Sequence, residues 1–150
     1  MWTRNRSVAL SVWCTVGMIA LMALTAVTLP FGLKNGFRIG NAVLYEGHGT
    51  MFLPLYYCFC VPALVALVGT YRILANIRRD VVFDASNVRL LRLISWACFA
   101  GGVVCFVGTS QSLAFLAVGL VCAFVGVIVR VIKNLIAAAV EIKAENDLTI

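Results

Sequence analysis

Six cysteines, one histidine and two closely spaced serines are the residues whose types could carry covalent or metal chemistry. Cys14, Cys58, Cys60, Cys98, Cys105 and Cys122 all fall inside apolar runs. None forms a C-x-x-C pair, and Cys58 and Cys60 point to different faces of a helix. A disulfide framework or a metal site needs cysteines in loops or converging with histidine. A free cysteine inside an apolar run acts as a small buried hydrophobe. His48 stands between two glycines, where a solvated imidazole is the ordinary outcome and a pH-sensing or ligand role the alternative. Ser110 and Ser112 have no base near them. The chain contains no G-x-S-x-G, H-E-x-x-H or Walker-type loop, and one histidine cannot supply paired ligands to a haem. The expectation is a protein that is not an enzyme, with no catalytic, cofactor-binding or metal-binding residues and no cofactor.

The composition explains why such residues are scarce. Of the 150 residues, 63% are hydrophobic, and the mean hydropathy is +1.02. A soluble domain is roughly 45–50% apolar, and a chain of this size has too little interior to hide the surplus. The surplus must face lipid. The formal charge of +6 would suggest nucleic acid in a soluble protein. Here the charges lie at the ends of apolar segments, where they set topology and meet anionic headgroups. No direct nucleic-acid binding is expected.

The uncharged runs define one all-α domain, an integral membrane protein of four transmembrane helices. The first span covers about residues 7–29, SVALSVWCTVGMIALMALTAVTL, or about 34 Å of helix, enough for the hydrocarbon core. It is too long for the apolar region of a signal peptide, and no A-x-A site ends it. Pro30 is expected to close it, and residues 31–50, with five glycines, to form an irregular loop. The second span covers about 51–74. Pro54 lies in its first turn, where proline is tolerated, and Pro62 lies deep inside, where a kink is expected. Phe52, Tyr56, Tyr57 and Phe59 suit an interfacial aromatic belt. From Leu93 to Val129 no charge occurs over 37 positions, about 55 Å as one helix. That run must break, and Gly108 to Ser112 is its only polar cluster. The third and fourth spans are therefore about 88–107 and 113–132. Gly119 and Ala123, and Cys122 and Gly126, are four apart and allow a close helix approach.

Residues 133–150 form a tail whose helix continues the fourth span. Leu135, Ile136, Ala139, Val140 and Ile142 make an apolar stripe, while Asn134, Ala138, Glu141 and Glu145 make the other face. Ten of the twelve cations lie before span 1, in the segment from Arg72 to Arg92 that covers the facing ends of spans 2 and 3, or from Arg130 on. The positive-inside rule then places both termini and the central connection in the cytoplasm of a multi-pass cell-membrane protein.

The central connection carries Arg78, Arg79, Arg89 and Arg92 around apolar Val82 and Phe83, with Asp84, Ser86 or Asn87 able to cap the helix that follows. The tail carries Glu141, Glu145 and Asp147. These nine residues, Arg78, Arg79, Val82, Phe83, Arg89, Arg92, Glu141, Glu145 and Asp147, form the candidate cytoplasmic interaction surface. One arrangement folds the tail near the connection, with Ile136, Val140 and Ile142 over Val82 and Phe83. The other lays the tail in the headgroup layer, apolar face down.

The runs NIRRDVVFDASNVRLLRLISWACF and VIKNLIAAAVEIKAENDLTI resemble the two signature regions of the YoaS-like membrane proteins. These are small bacterial four-helix proteins containing a domain of unknown function. The resemblance covers nearly the whole chain, implies the same fold, and supplies no catalytic residues. It implies genomic company with a small helix-turn-helix regulator. Three functions compete. One is a non-enzymatic interaction or regulatory protein with a partner on the cytoplasmic side. The second is a small transporter or permease component acting as an oligomer. The third is a structural membrane subunit. Pro62 and the glycines favour the second. The lack of an ionisable group in the middle of any span counts against it, since coupled carriers place a carboxylate there.

Overall fold

The computed structural model describes residues 4–34, 38–39, 42–43, 49–79, 82, 84–110 and 113–148. Four long helices carry the fold: α1 (Arg4–Lys34), α2 (Gly49–Arg78), α3 (Ala85–Gly108) and α4 (Ala114–Leu148). Each is long and apolar enough to cross a membrane. Between α1 and α2, β1 (Arg38–Ile39) pairs antiparallel with β2 (Ala42–Val43), Arg38 opposite Val43 and Ile39 opposite Ala42. This two-stranded hairpin lies inside the stretch expected to be an irregular loop.

Pro30 does not close the first helix, which runs on to Lys34. Proline has no N–H to give the carbonyl four residues back, and that missing bond is the main objection to proline inside a helix. The carbonyl concerned is that of Ala26. The hydroxyl of Tyr57, on α2, donates to it at 2.8 Å. A tertiary hydrogen bond thus replaces the one that proline removes. One residue earlier in α1, the hydroxyls of Thr25 and Tyr56 lie 2.6 Å apart and tie the same two helices together.

The turn at Gly108 falls where the polar cluster predicts it: α3 ends at Gly108 and α4 begins at Ala114. At the other end of α3, the carboxylate of Asp84 accepts from the backbone N–H of Ser86 at 3.0 Å and also from the Ser86 hydroxyl. It therefore caps the helix by satisfying one of its orphan donors.

Successive helices pack antiparallel, α1 on α2, α2 on α3 and α3 on α4. Among the described residues, no Cα of α1 lies within 8 Å of α3 or α4, and none of α2 within 8 Å of α4. Helix α3 is the axis of the molecule, and most of the buried residues lie on it. Small residues give it this place. A Cβ built on Gly102 would lie 3.3 Å from the Gly119 carbonyl oxygen, and one on Gly126 would lie 3.3 Å from the Cys98 Cβ. The Gly119 and Gly126 faces of α4 therefore meet a helix, as the four-residue spacing predicts. The buried hydroxyl of Ser95 donates across the same interface to the Gly126 carbonyl at 2.9 Å. In lipid, where apolar burial provides little force between helices, close packing and such hydrogen bonds hold a bundle together.

A candidate interaction face at the basic end

The antiparallel packing brings the α2–α3 connection, the start of α1 and the end of α4 to one end of the bundle. The connection is held by Asn87, only 2% exposed. Its side-chain amide donates to the Val82 carbonyl at 2.9 Å, and its side-chain oxygen accepts from the Asn76 amide at 2.7 Å. One asparagine therefore joins the end of α2, the connection and the first turn of α3. Buried polar groups satisfied in this way fix a single backbone path. The carboxyl of Asp84 is held below its ordinary value of 3.8, first by the Ser86 hydroxyl, then by backbone N–H donation and the nearby Arg89.

The cations of this end divide between two faces. Arg72, Asn76 and Arg79 from α2 and its final turn, with Ser86, Arg89, Leu90 and Leu93 from the start of α3, line a groove of about 520 Å³. On the α3–α4 side, Arg92, Ser95, Trp96, Arg130 and Lys133 line a smaller pocket of about 50 Å³. The Arg130 guanidinium lies 5.5 Å from the centre of the Trp96 ring, within range of a cation–π attraction. Arginine at such positions can donate two parallel hydrogen bonds to a carboxylate or phosphate.

Among the residues expected to form the surface, Arg79 and Arg89 therefore meet in one groove and Arg92 faces another, while Arg78 is exposed at the end of α2. Val82 is half-buried. Phe83 lies outside the described residues, and only the backbone of Asp147 is described. Arg72, Arg130 and Lys133 were not among the expected residues. Their charge and place at the ends of spans were visible in the chain, but their company depends on which helices pack together.

The tail is continuous with the fourth span, as α4 runs to Leu148 without interruption. Gly126 packs level with Cys98. Ten residues further along each antiparallel helix, Ile136 falls level with Val88, and Val140 then falls level with Asp84. Residues 141–148 extend past the start of α3. Along the expected apolar stripe, Ile136, Ala139 and Val140 are half-buried, whereas Leu135 is 67% and Ile142 59% exposed. Glu141 and Glu145 are exposed.

Another hollow lies within the spans. It is an apolar groove of about 430 Å³, lined by all four helices, with Pro62, Gly101 and Cys122 on its walls.

No curated protein and no solved structure matches this chain. A family model described as a protein of unknown function, DUF2975, matches residues 5–150. The chain belongs to that family, and it is a multi-pass membrane protein of four candidate spans.

Proposed function

We propose that this protein is a non-enzymatic interaction or regulatory protein whose basic end faces the cytoplasm and receives a protein partner. The observation that carries this reading is the extension of α4 past the start of α3. Past Arg130 and Lys133, cations of the kind that mark headgroup level, α4 presents Leu135 and Ile142 largely exposed. The two are seven residues apart and so share a helix face. An amphipathic helix with such anchors is a common way to enter a partner's groove, and exposed apolar side chains on a water-side surface mark interaction sites. The cytoplasmic orientation is supported by ten of the twelve cations lying at this end. The YoaS-like resemblance points to a small helix-turn-helix regulator as the partner, with the regulator rather than this chain touching nucleic acid.

Co-purification from native membranes, with identification of the bound protein, tests the proposal. A specific partner should accompany the wild-type protein and be lost from the Leu135→Glu/Ile142→Glu variant. An identical set of proteins with both would remove the α4 extension as the docking surface.

The four-helix groove beside Pro62 favours a second reading, a transporter component acting as an oligomer. A carrier would alternate the accessibility of Cys122, on the groove wall, between the two sides of the membrane. Labelling of Cys122 by small thiol reagents from neither side would exclude that cycle.

A further inference from the structure

We propose that the groove between the end of α2 and the start of α3 is a binding site for one acidic phospholipid. Its phosphate would be held by Arg72, Arg79 and Arg89, and an acyl chain would lie along Leu90 and Leu93. The site is separate from the α4 extension and does not depend on the proposed protein partner.

Three guanidinium side chains, from α2, from the turn that follows it and from α3, line the same groove, joined by the polar side chains of Asn76 and Ser86. Among the described residues no carboxylate lines it. The nearest described acid on this connection, Asp84, is engaged by Ser86 at the cap of α3 and also attracts Arg89, but it does not line the groove. A concave site with three arginines and no carboxylate among its described lining residues selects an anion with several acceptor oxygens, and phosphate fits the planar donor geometry of arginine.

The apolar side of the groove distinguishes a lipid from a free anion. Leu90 and Leu93 line the groove beside the arginines. From Leu93, 50% exposed, an open stripe continues along α3 through Trp96, 59% exposed, and Val103, 63% exposed. These residues lie inside a candidate membrane span. A headgroup at the arginines would therefore continue directly into acyl chain beside α3. A soluble phosphate would leave this apolar wall unused. Basic pockets between membrane helices are a recurrent form of anionic-lipid recognition.

Trp96 provides the probe. The full chain, with Trp2 and Trp13 replaced by Phe, is placed in phosphatidylcholine nanodiscs carrying phosphatidylglycerol with brominated acyl chains. Brominated phosphatidylglycerol should quench Trp96 more strongly than brominated phosphatidylcholine at the same mole fraction. The Arg79→Gln/Arg89→Gln variant should bind phosphatidylglycerol roughly 30-fold more weakly, the loss expected for two surface cations. The Lys143→Gln change, on the exposed end of α4 and outside the groove, should leave binding near the wild-type level, and Arg79→Lys/Arg89→Lys should retain the preference.

Equal quenching by the two lipids in the wild-type protein would overturn the site. So would an unchanged preference in the Gln double variant. Inorganic phosphate should not displace the lipid, and displacement at millimolar phosphate would assign the groove to a soluble anion instead. The salt dependence of wild-type quenching tests the proposal without any groove variant. Added salt should weaken phosphatidylglycerol quenching and leave phosphatidylcholine quenching unchanged, and insensitivity of both would overturn it.

Discussion

Tyr57 supplies the hydrogen bond that Pro30 cannot. Its hydroxyl donates at 2.8 Å to the Ala26 carbonyl, the acceptor left without its i+4 backbone partner by the proline. The two residues are far apart in sequence, and only the packing of α1 on α2 relates them. Tyr57→Phe should destabilise the protein by about 1 kcal/mol, the usual order for one such bond. In a Pro30→Ala background residue 30 regains an N–H, so the same Tyr57→Phe change should cost measurably less. Unfolding of the four proteins of this cycle in detergent checks the coupling, and equal costs in the two backgrounds would show that the tyrosine acts independently of the proline.

The α3–α4 interface should be intolerant of volume. A Cβ at Gly126 would already lie 3.3 Å from both the Cys98 Cβ and the Phe99 ring, so Gly126→Leu must displace α4 or distort α3. A loss of about 1–3 kcal/mol is expected for such overpacking, read as a lower midpoint in detergent unfolding. Val127, adjacent in sequence but 51% exposed, should accept Leu with little change.

Much of this architecture was legible in the chain, because length and charge are sufficient to locate membrane spans. The uncharged runs and the polar cluster beginning at Gly108 place the four helices, and the spacing of Gly119, Ala123 and Gly126 marks a packing face. Pro30 reads as a helix end because its missing N–H is a local property, whereas the hydrogen bond that replaces it comes from Tyr57 on another helix and lets α1 run to Lys34. The candidate surface was legible only in part for a related reason. Arg79 and Arg89 stood out by their charge, but Arg72 joins them only once α2 and α3 are paired. Arg130 and Lys133 join Arg92 only once α4 lies beside α3. Charge can be read along a chain, whereas company depends on register between elements.

The Asn87 clamp should control the α2–α3 connection. Asn87→Ala would leave the Val82 carbonyl and the Asn76 amide without these partners in a nearly closed site. The expected cost is about 1–3 kcal/mol, the penalty for unsatisfied buried groups. Limited trypsin digestion of the protein in detergent should show faster cleavage at Arg78 and Arg79 in the variant. Unchanged cleavage would mean that the path of the connection is fixed by other contacts.

Asp84 should give the same end an acid sensitivity. Its carboxyl is held below the ordinary 3.8 by Ser86, so the folded state binds this proton less readily than the unfolded chain. The cap's pH-dependent stabilisation is complete above the unfolded value and is lost as pH falls through the lower folded value. Asp84→Asn keeps a capping oxygen without that titration. Comparing the unfolding midpoints of wild-type and Asp84→Asn protein across the acidic range should show the wild-type advantage shrinking as pH falls, and parallel profiles would contradict it.

An interaction role for the basic end depends first on which side of the membrane that end occupies, and a thiol-labelling experiment reads this directly. Single cysteines are introduced at Arg78 and at His48 in a chain whose six native cysteines are replaced. Intact cells are then treated with a membrane-impermeant maleimide. The cysteine at position 48 should be labelled in intact cells, and the cysteine at position 78 only after lysis, as expected if the cation-rich end is cytoplasmic. Labelling at position 78 in intact cells, with position 48 protected until lysis, would invert the topology and remove the cytoplasmic partner from the account.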